Sequence, residues 1–345
     1  MFGKSKSILR HFQTLLCYNI HTIATAFSKN KDRPMIRFLA ALSIVPSFAL
    51  AEVPRVMTDI APIHSLTAQV MGELGQPDVL LPPGADPHDY ALRPSDAELL
   101  GASDLVIWVG EGLTPWLEQP LETLAPQATH FSLLAVEGWA QLEAREGVED
   151  DHEGHQDEDD HDHDHDHGHD HGDVDPHAWL DPVVAQTWVA AIADELSNID
   201  PENAATYAAN AKATITALGI LEADLAAQLA PFADRAYILP HDGYQYFETR
   251  FGLSAQAAIS GIDARTPGPA QIAELRAQMA DQNVVCVFSD AEISDRWAAI
   301  ITEGTTARTA SIDGVGIGLD AGPALYAQML ERLAAQFASC LAPNS

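Results

Sequence analysis

Along residues 53–110 the apolar positions alternate between two rhythms. "VPRVMTDI" (53–60) reads as a strand, and "IHSLTAQVMGEL" after it carries Ile63, Leu66, Val70, Met71 and Leu74 at helical spacing. "DVLLP" predicts a second strand that ends in the turn sequence "PGADP". A helix should follow, with Ser95 as N-cap and Glu98 completing a capping box, and then the strand "DLVIWVG". The same alternation returns after residue 235, with strands at 236–239 and 284–288 and helices near 244–251, 268–281 and 322–338. Strands alternating with helices predict parallel sheets covered by helices.

Between these regions, Asp200-Pro201-Glu202 opens a helix with an N-cap, a proline at N1 and an acid in the first turn. The alanine-rich stretch runs to about residue 230, with Gly219 its one breaker before Pro231. Some thirty residues at 1.5 Å each give ~45 Å, enough to join two domains. The expected fold class is therefore α/β: two lobes with parallel sheets flanked by helices, joined by one long rigid helix. The expected boundaries are residues 52–199 for the first lobe, 200–231 for the linking helix and 232–345 for the second lobe.

Composition adds two segments that build no core. Residues 146–175 hold 15 acidic residues and eight histidines, with Val148 and Val174 the sole large apolar residues, and so read as a disordered loop within the first lobe. Residues 1–51 read as an upstream extension followed by a cleavable secretory signal. Met35 starts a segment with Arg37, an apolar run and Ala49-Leu50-Ala51, an A-x-A cleavage site. An uncleaved anchor is the alternative.

Residues 52–345 keep 11 basic side chains against 49 acidic ones, a net of −38, and their one lysine is Lys212. Such a surface repels nucleic acid and attracts cations, although it also serves simple solubility. Export leaves Cys286 and Cys340 as one pair in an oxidising compartment. A disulfide is the expected outcome and two buried thiols the alternative; they lack the short spacing of a zinc thiolate site.

Outside the low-complexity run, the exported chain has five histidines: His64, His88, His130, His177 and His241. His88 in "PPGADPHDYALRPSD" follows a strand, His177 in "DPHAWLDP" precedes a helix, and His241 in "ILPHDGYQYFE" again follows a strand. Loops at the carboxyl ends of parallel strands converge on a cleft. Three neutral imidazoles converging there suit zinc, which takes nitrogen ligands in a tetrahedral set. Asp89, Asp181 and Asp242 are candidates to orient the three rings, with a helix N-cap the competing role for Asp181. His130 has no comparable setting.

"PPGADPHDYALRPSDAELL", "DPHAWLDP", "LPHDGYQYFETRFGL" and the acidic histidine-rich insert between the first two occur in one order and spacing. In this the chain resembles the zinc-specific solute-binding proteins of bacterial ABC importers, the ZnuA type. The resemblance implies a monomeric periplasmic receptor, not an enzyme, that binds one zinc ion in the cleft and delivers it to a membrane permease. It carries His88, His177 and His241 over as ligands and the Cys286–Cys340 pairing as a disulfide. Relatives complete the site with a water, a carboxylate beside the first histidine, or an acid of the last lobe. Pro87 stands where the second of these would be, so Asp290, at the end of "VVCVFSD", is the candidate, with Glu292, Asp295 and a water as alternatives. His64 in "APIHSL" matches a position that is histidine in some relatives and is an auxiliary candidate. Manganese sites in the wider superfamily use more carboxylates, so a histidine at position 241 favours zinc.

Two other functions fit a three-histidine zinc site: a zinc-dependent hydrolase, and a periplasmic zinc store or chaperone without a transporter. Against the hydrolase stand the lack of an H-E-x-x-H helix and ligands drawn from both lobes. "HDHDHDHGHDHG" (161–172) is expected to bind zinc weakly at several interchangeable places, as a capture loop ahead of the tight site.

Overall fold

The computed structural model describes residues 53–145 and 174–343; the expected signal segment and nearly all of the histidine-rich insert lie outside these residues. The chain begins with β1 (Val56–Thr58), α1 (Ala61–Met71), β2 (Asp78–Val79), α2 (Pro94–Gly101), β3 (Leu105–Trp108), α3 (Glu118–Leu124) and β4 (Thr129–Ser132). The four strands form one parallel sheet in the order β2-β1-β3-β4. Every residue of β1 and β3 is buried, as parallel strands covered on both faces require.

Two long helices follow. In α4 (Pro182–Ile199), Asp181 caps the N-terminus by accepting from the Val183 N–H, with Pro182 at N1, and Val184, Trp188, Val189, Ile192 and Leu196 form the buried face. α5 (Ala204–Leu229) is the long helix expected from the alanine-rich stretch, flanked by 3-10 turns at Pro201–Asn203 and Ala230–Phe232. Its 26 residues span ~39 Å. Tyr207, Ala211, Thr214, Leu218, Leu221, Leu225 and Leu229 recur every three or four residues and make its buried stripe.

The second half repeats the plan with β5 (Tyr237–His241), α6 (Gln245–Phe251), β6 (Ala257–Ser260), α7 (Pro269–Gln282), β7 (Cys286–Ser289), α8 (Asp295–Thr302) and β8 (Arg308–Ser311), ending in α9 (Leu325–Leu341). Its parallel sheet has the order β6-β5-β7-β8, which matches the first sheet strand for strand. α9 returns to pack on α1 and α5. The Tyr326 N–H donates to Ser65 Oγ of α1, and the Tyr326 hydroxyl donates to the Trp179 carbonyl in the turn ahead of α4. One apolar core therefore runs from Val56 to Phe337 beneath both sheets, and a smaller cluster around Ile238, Ile259 and Ile301 fills the other face of the second sheet.

A disulfide joins Cys286 on β7 to Cys340 on α9, with Cα atoms 5.9 Å apart and a sequence separation of 54. Closing a loop of that length stabilises by ~4 kcal/mol in the chain-entropy model. One local expectation shifts. The helix expected to be capped at Ser95 starts at Pro94, because proline is preorganised for N1, and Asp96 rather than Glu98 accepts the N-cap N–H, that of Arg93. Asp200 ends α4 and, as expected, is the N-cap of the turn that leads into α5, with Pro201 and Glu202 in its first turn; its carboxylate accepts from the Tyr207 hydroxyl and the Asn203 amide.

Candidate metal centre

The two tripeptides Asp86-Pro87-His88 and Asp175-Pro176-His177 fold alike at their backbones. In each the aspartate Oδ1 accepts the histidine N–H, at 2.8 Å for His88 and 2.9 Å for His177. Their rings differ. His177 Nδ1 lies 2.9 Å from the same Asp175 oxygen, so Nδ1–H is donated to a carboxylate and Nε2 keeps the free lone pair. His88 has no such contact; its Nε2 is buried without a partner among the described residues. Trp116 Nε1 donates to the Pro87 carbonyl at 2.7 Å and steadies this loop.

His241 is the last residue of β5. Its Nδ1 lies 2.8 Å from Asp290 Oδ2, and its Nε2 lies 3.6 Å from Glu292 Oε2. Asp290 is itself held, since its Oδ1 accepts the N–H groups of Ile293 at 2.7 Å and Glu292 at 3.0 Å. One donor atom each from His241, Asp290 and Glu292 fits within 4.8 Å of the others. His177 stands between the other two imidazoles, with ring centroids 5.4 Å from His88 and 5.4 Å from His241.

Gly243 shows where the nitrogens point. A Cβ at that position would meet His241 Nε2 at 2.2 Å and His177 Nε2 at 2.9 Å, so both free nitrogens face one small space that a glycine keeps open. The cavity there measures ≈ 30 Å³ and is lined by Pro87, His177, Trp179, His241 and Glu292 among others. That volume suits an ion or one or two waters.

The three histidines sit in different fields. Burial, reinforced by His177 and His241, pushes His88 down to about 3. Burial also lowers His177, against the pull of Asp175. At His241 burial acts in the same direction, but Asp290, Glu292 and Asp175 together outweigh it and push the group up to about 9. Burial pushes Glu292 up to about 7, although His241 opposes it.

Of the residues singled out in the sequence, His88, His177, His241, Asp290 and Glu292 are brought together. His64 is not: its Nε2 faces the Pro77 carbonyl at 3.0 Å inside α1, where burial lowers its pKa. His130 bonds the Ala125 carbonyl, and Asp295 accepts from the Ser289 hydroxyl. The carboxylates that orient the rings are Asp175 and Asp290 rather than Asp89, Asp181 or Asp242. Asp181 caps α4 and receives both arms of Arg250 at 2.8 Å, and Asp242 lies 3.1 Å from Arg145. The Asp-x-His spacing shared by residues 86–88 and 175–177 was the signal available for Asp175; Asp290 and His241 are 49 residues apart and carry no such signal.

Two parallel α/β sheets sharing one strand order, with a buried imidazole and carboxylate cleft, define a two-lobed binding protein. The solved structure titled "Crystal structure of ZnuA" has this fold, with a TM-score of 0.69 at 21% identity over 84% of this chain and all of that one. A family model for the ZnuA family, described as "Zinc-uptake complex component A periplasmic", matches residues 56–340. The chain is 41% identical over 313 residues to the high-affinity zinc uptake system protein ZnuA of Paracoccus denitrificans, covering 88% of this chain and 96% of that protein. It is 35% identical over 304 residues to the protein of the same name from Brucella abortus, covering 83% and 91%. The chain belongs to the ZnuA family of periplasmic zinc-uptake components.

Proposed function

We propose that this protein captures zinc in the periplasm with high affinity and hands it to the membrane permease of an ABC importer. The zinc is cargo. His88, His177 and His241 bind it through their Nε2 atoms, with Nδ1 of the latter two held by Asp175 and Asp290. Glu292 supplies the fourth donor, because its Oε2 has no hydrogen-bond partner among the described residues and faces the metal side of His241. Asp290, the acid first expected in that place, orients His241 instead, because its Oδ2 faces Nδ1 and its Oδ1 is taken by two backbone N–H groups. Export by the signal in residues 35–51 belongs to the same reading.

The observation that carries it is the convergence of two carboxylate-oriented imidazoles on one ion-sized space with a third, unpartnered one beside them. Calorimetry on the exported chain should find one tight zinc site that His177→Ala weakens more than tenfold. Tight binding unchanged in that variant would sink the assignment. Zinc uptake into vesicles carrying the permease separates a transporter component from a zinc store.

A further inference from the structure

The chain leaves the first half at residue 145 and returns at residue 174, and the two ends meet in a built stem. Glu143 and Val174 form an antiparallel bridge, and the Asp175 N–H donates to the Leu142 carbonyl at 2.9 Å. The stem is pinned to α6 of the second half: the Leu142 N–H donates to the Tyr246 hydroxyl at 2.8 Å, and Gln245 Nε2 donates to the Glu143 carbonyl at 2.9 Å. Arg145 is the centre of the attachment. Its guanidinium pairs with the buried Glu248, lies 3.1 Å from Asp242 Oδ1, and donates through Nε to Gln245 Oε1 at 3.3 Å.

Both sides of this stem run directly into the metal centre. On one side Asp175 holds His177 by its backbone and by Nδ1. On the other, Asp242 is the residue after His241. Glu248 is fixed independently, accepting from the Tyr237 hydroxyl and the Ala255 N–H, both at 2.5 Å, so Arg145 grips a rigid point of the second half. Nothing in the zinc chemistry alone requires a cation here.

We propose that Arg145 is a positioning residue, a clasp between the two halves that holds His177 and His241 at the separation zinc needs and so sets how slowly the bound ion leaves. Ligands drawn from two halves bind tightly when their separation is prepaid, and a charged fork onto a buried carboxylate supplies that restraint beside the site. The inference rests on the zinc reading above.

The test loads the full exported chain with zinc and follows release into excess chelator, beside the melting temperature of the metal-free protein. Arg145→Ala alone strands the buried Glu248, so the informative variant is Arg145→Ala with Glu248→Gln, which removes both charges. It should release zinc about tenfold faster, and Arg145→Lys, which keeps the charge but loses the fork that reaches Glu248, Asp242 and Gln245 together, should fall between the double variant and the parent. A Cys286→Ser, Cys340→Ser variant serves as a control that is destabilised without touching the clasp. Release by the double variant within about twofold of the parent would overturn the proposal. So would an equal acceleration in the disulfide control, which would mean that release follows stability alone. A parent chain that held no zinc through the chase would instead count against the zinc reading, so the two failures are distinguishable.

Discussion

The two halves share one sheet topology, yet their contributions to the site are chemically opposed. The first half offers His88 on a loop backed by Trp116 and Pro87, with no carboxylate on its ring among the described residues, and burial keeps it neutral. The second half offers His241 between Asp290 and Glu292, where negative charge favours the imidazolium. One half thus presents an imidazole kept neutral and the other an imidazole in an acidic setting that favours its protonated form. A single fold plan used twice makes two kinds of donor, because the loops beyond the strands carry the difference.

The largest effect that would break this picture is steric. Gly243→Ala places a methyl against His241 Nε2 and His177 Nε2 while touching no hydrogen bond of the site, so zinc affinity should fall at least a hundredfold with the circular dichroism spectrum unchanged. Affinity within tenfold of the parent would mean that the two nitrogens do not share the ion. Next is the acidic setting: Asp290→Asn leaves His241 without its carboxylate, and a loss of 10- to 100-fold in competition titrations is the expected scale for such a partner.

The pH dependence sharpens the same contrast. Unperturbed imidazoles would hold zinc well until the pH fell below about 6.5. With His241 pushed up to about 9, the metal-free site carries a proton at neutral pH that zinc must expel. Affinity should then rise about tenfold per pH unit above 7, more steeply near 7 itself where Glu292 is also part-protonated, and level off above 9, with one to two protons released per zinc in calorimetry across buffers of different ionisation enthalpy. His88, already neutral, adds no slope in this range. A flat profile between pH 7 and 9 would show that the acidic setting does not hold the proton.

Much of this was legible in the order of residues. Strand and helix alternation, the long alanine-rich helix and the three loop histidines all follow from local periodicity and from motifs that fold within a few residues. The edge strands β4 and β8 were missed because their sequences, "THFS" and "RTAS", are polar and half exposed and carry no apolar run. β6 and the short helices α3 and α8 were missed for a related reason: four to eight residues give too little periodicity to read.

The ring-orienting carboxylates divide along the same line. Asp175 is two residues from His177, so its role could have been read from a spacing, but proximity pointed equally to Asp181, whose helix cap and Arg250 partner claim it. Asp290 reaches His241 because β5 and β7 are hydrogen-bonded neighbours, a pairing set by sheet topology. The sequence by itself thus determined the two-sheet plan, the cation-seeking charge and the three imidazoles. Only the tertiary structure decided which carboxylate faces His241 Nδ1, which one lies nearer its Nε2, and that Arg145 reaches Glu248, because those contacts join residues 49 to 103 positions apart and arise only when both sheets share one core.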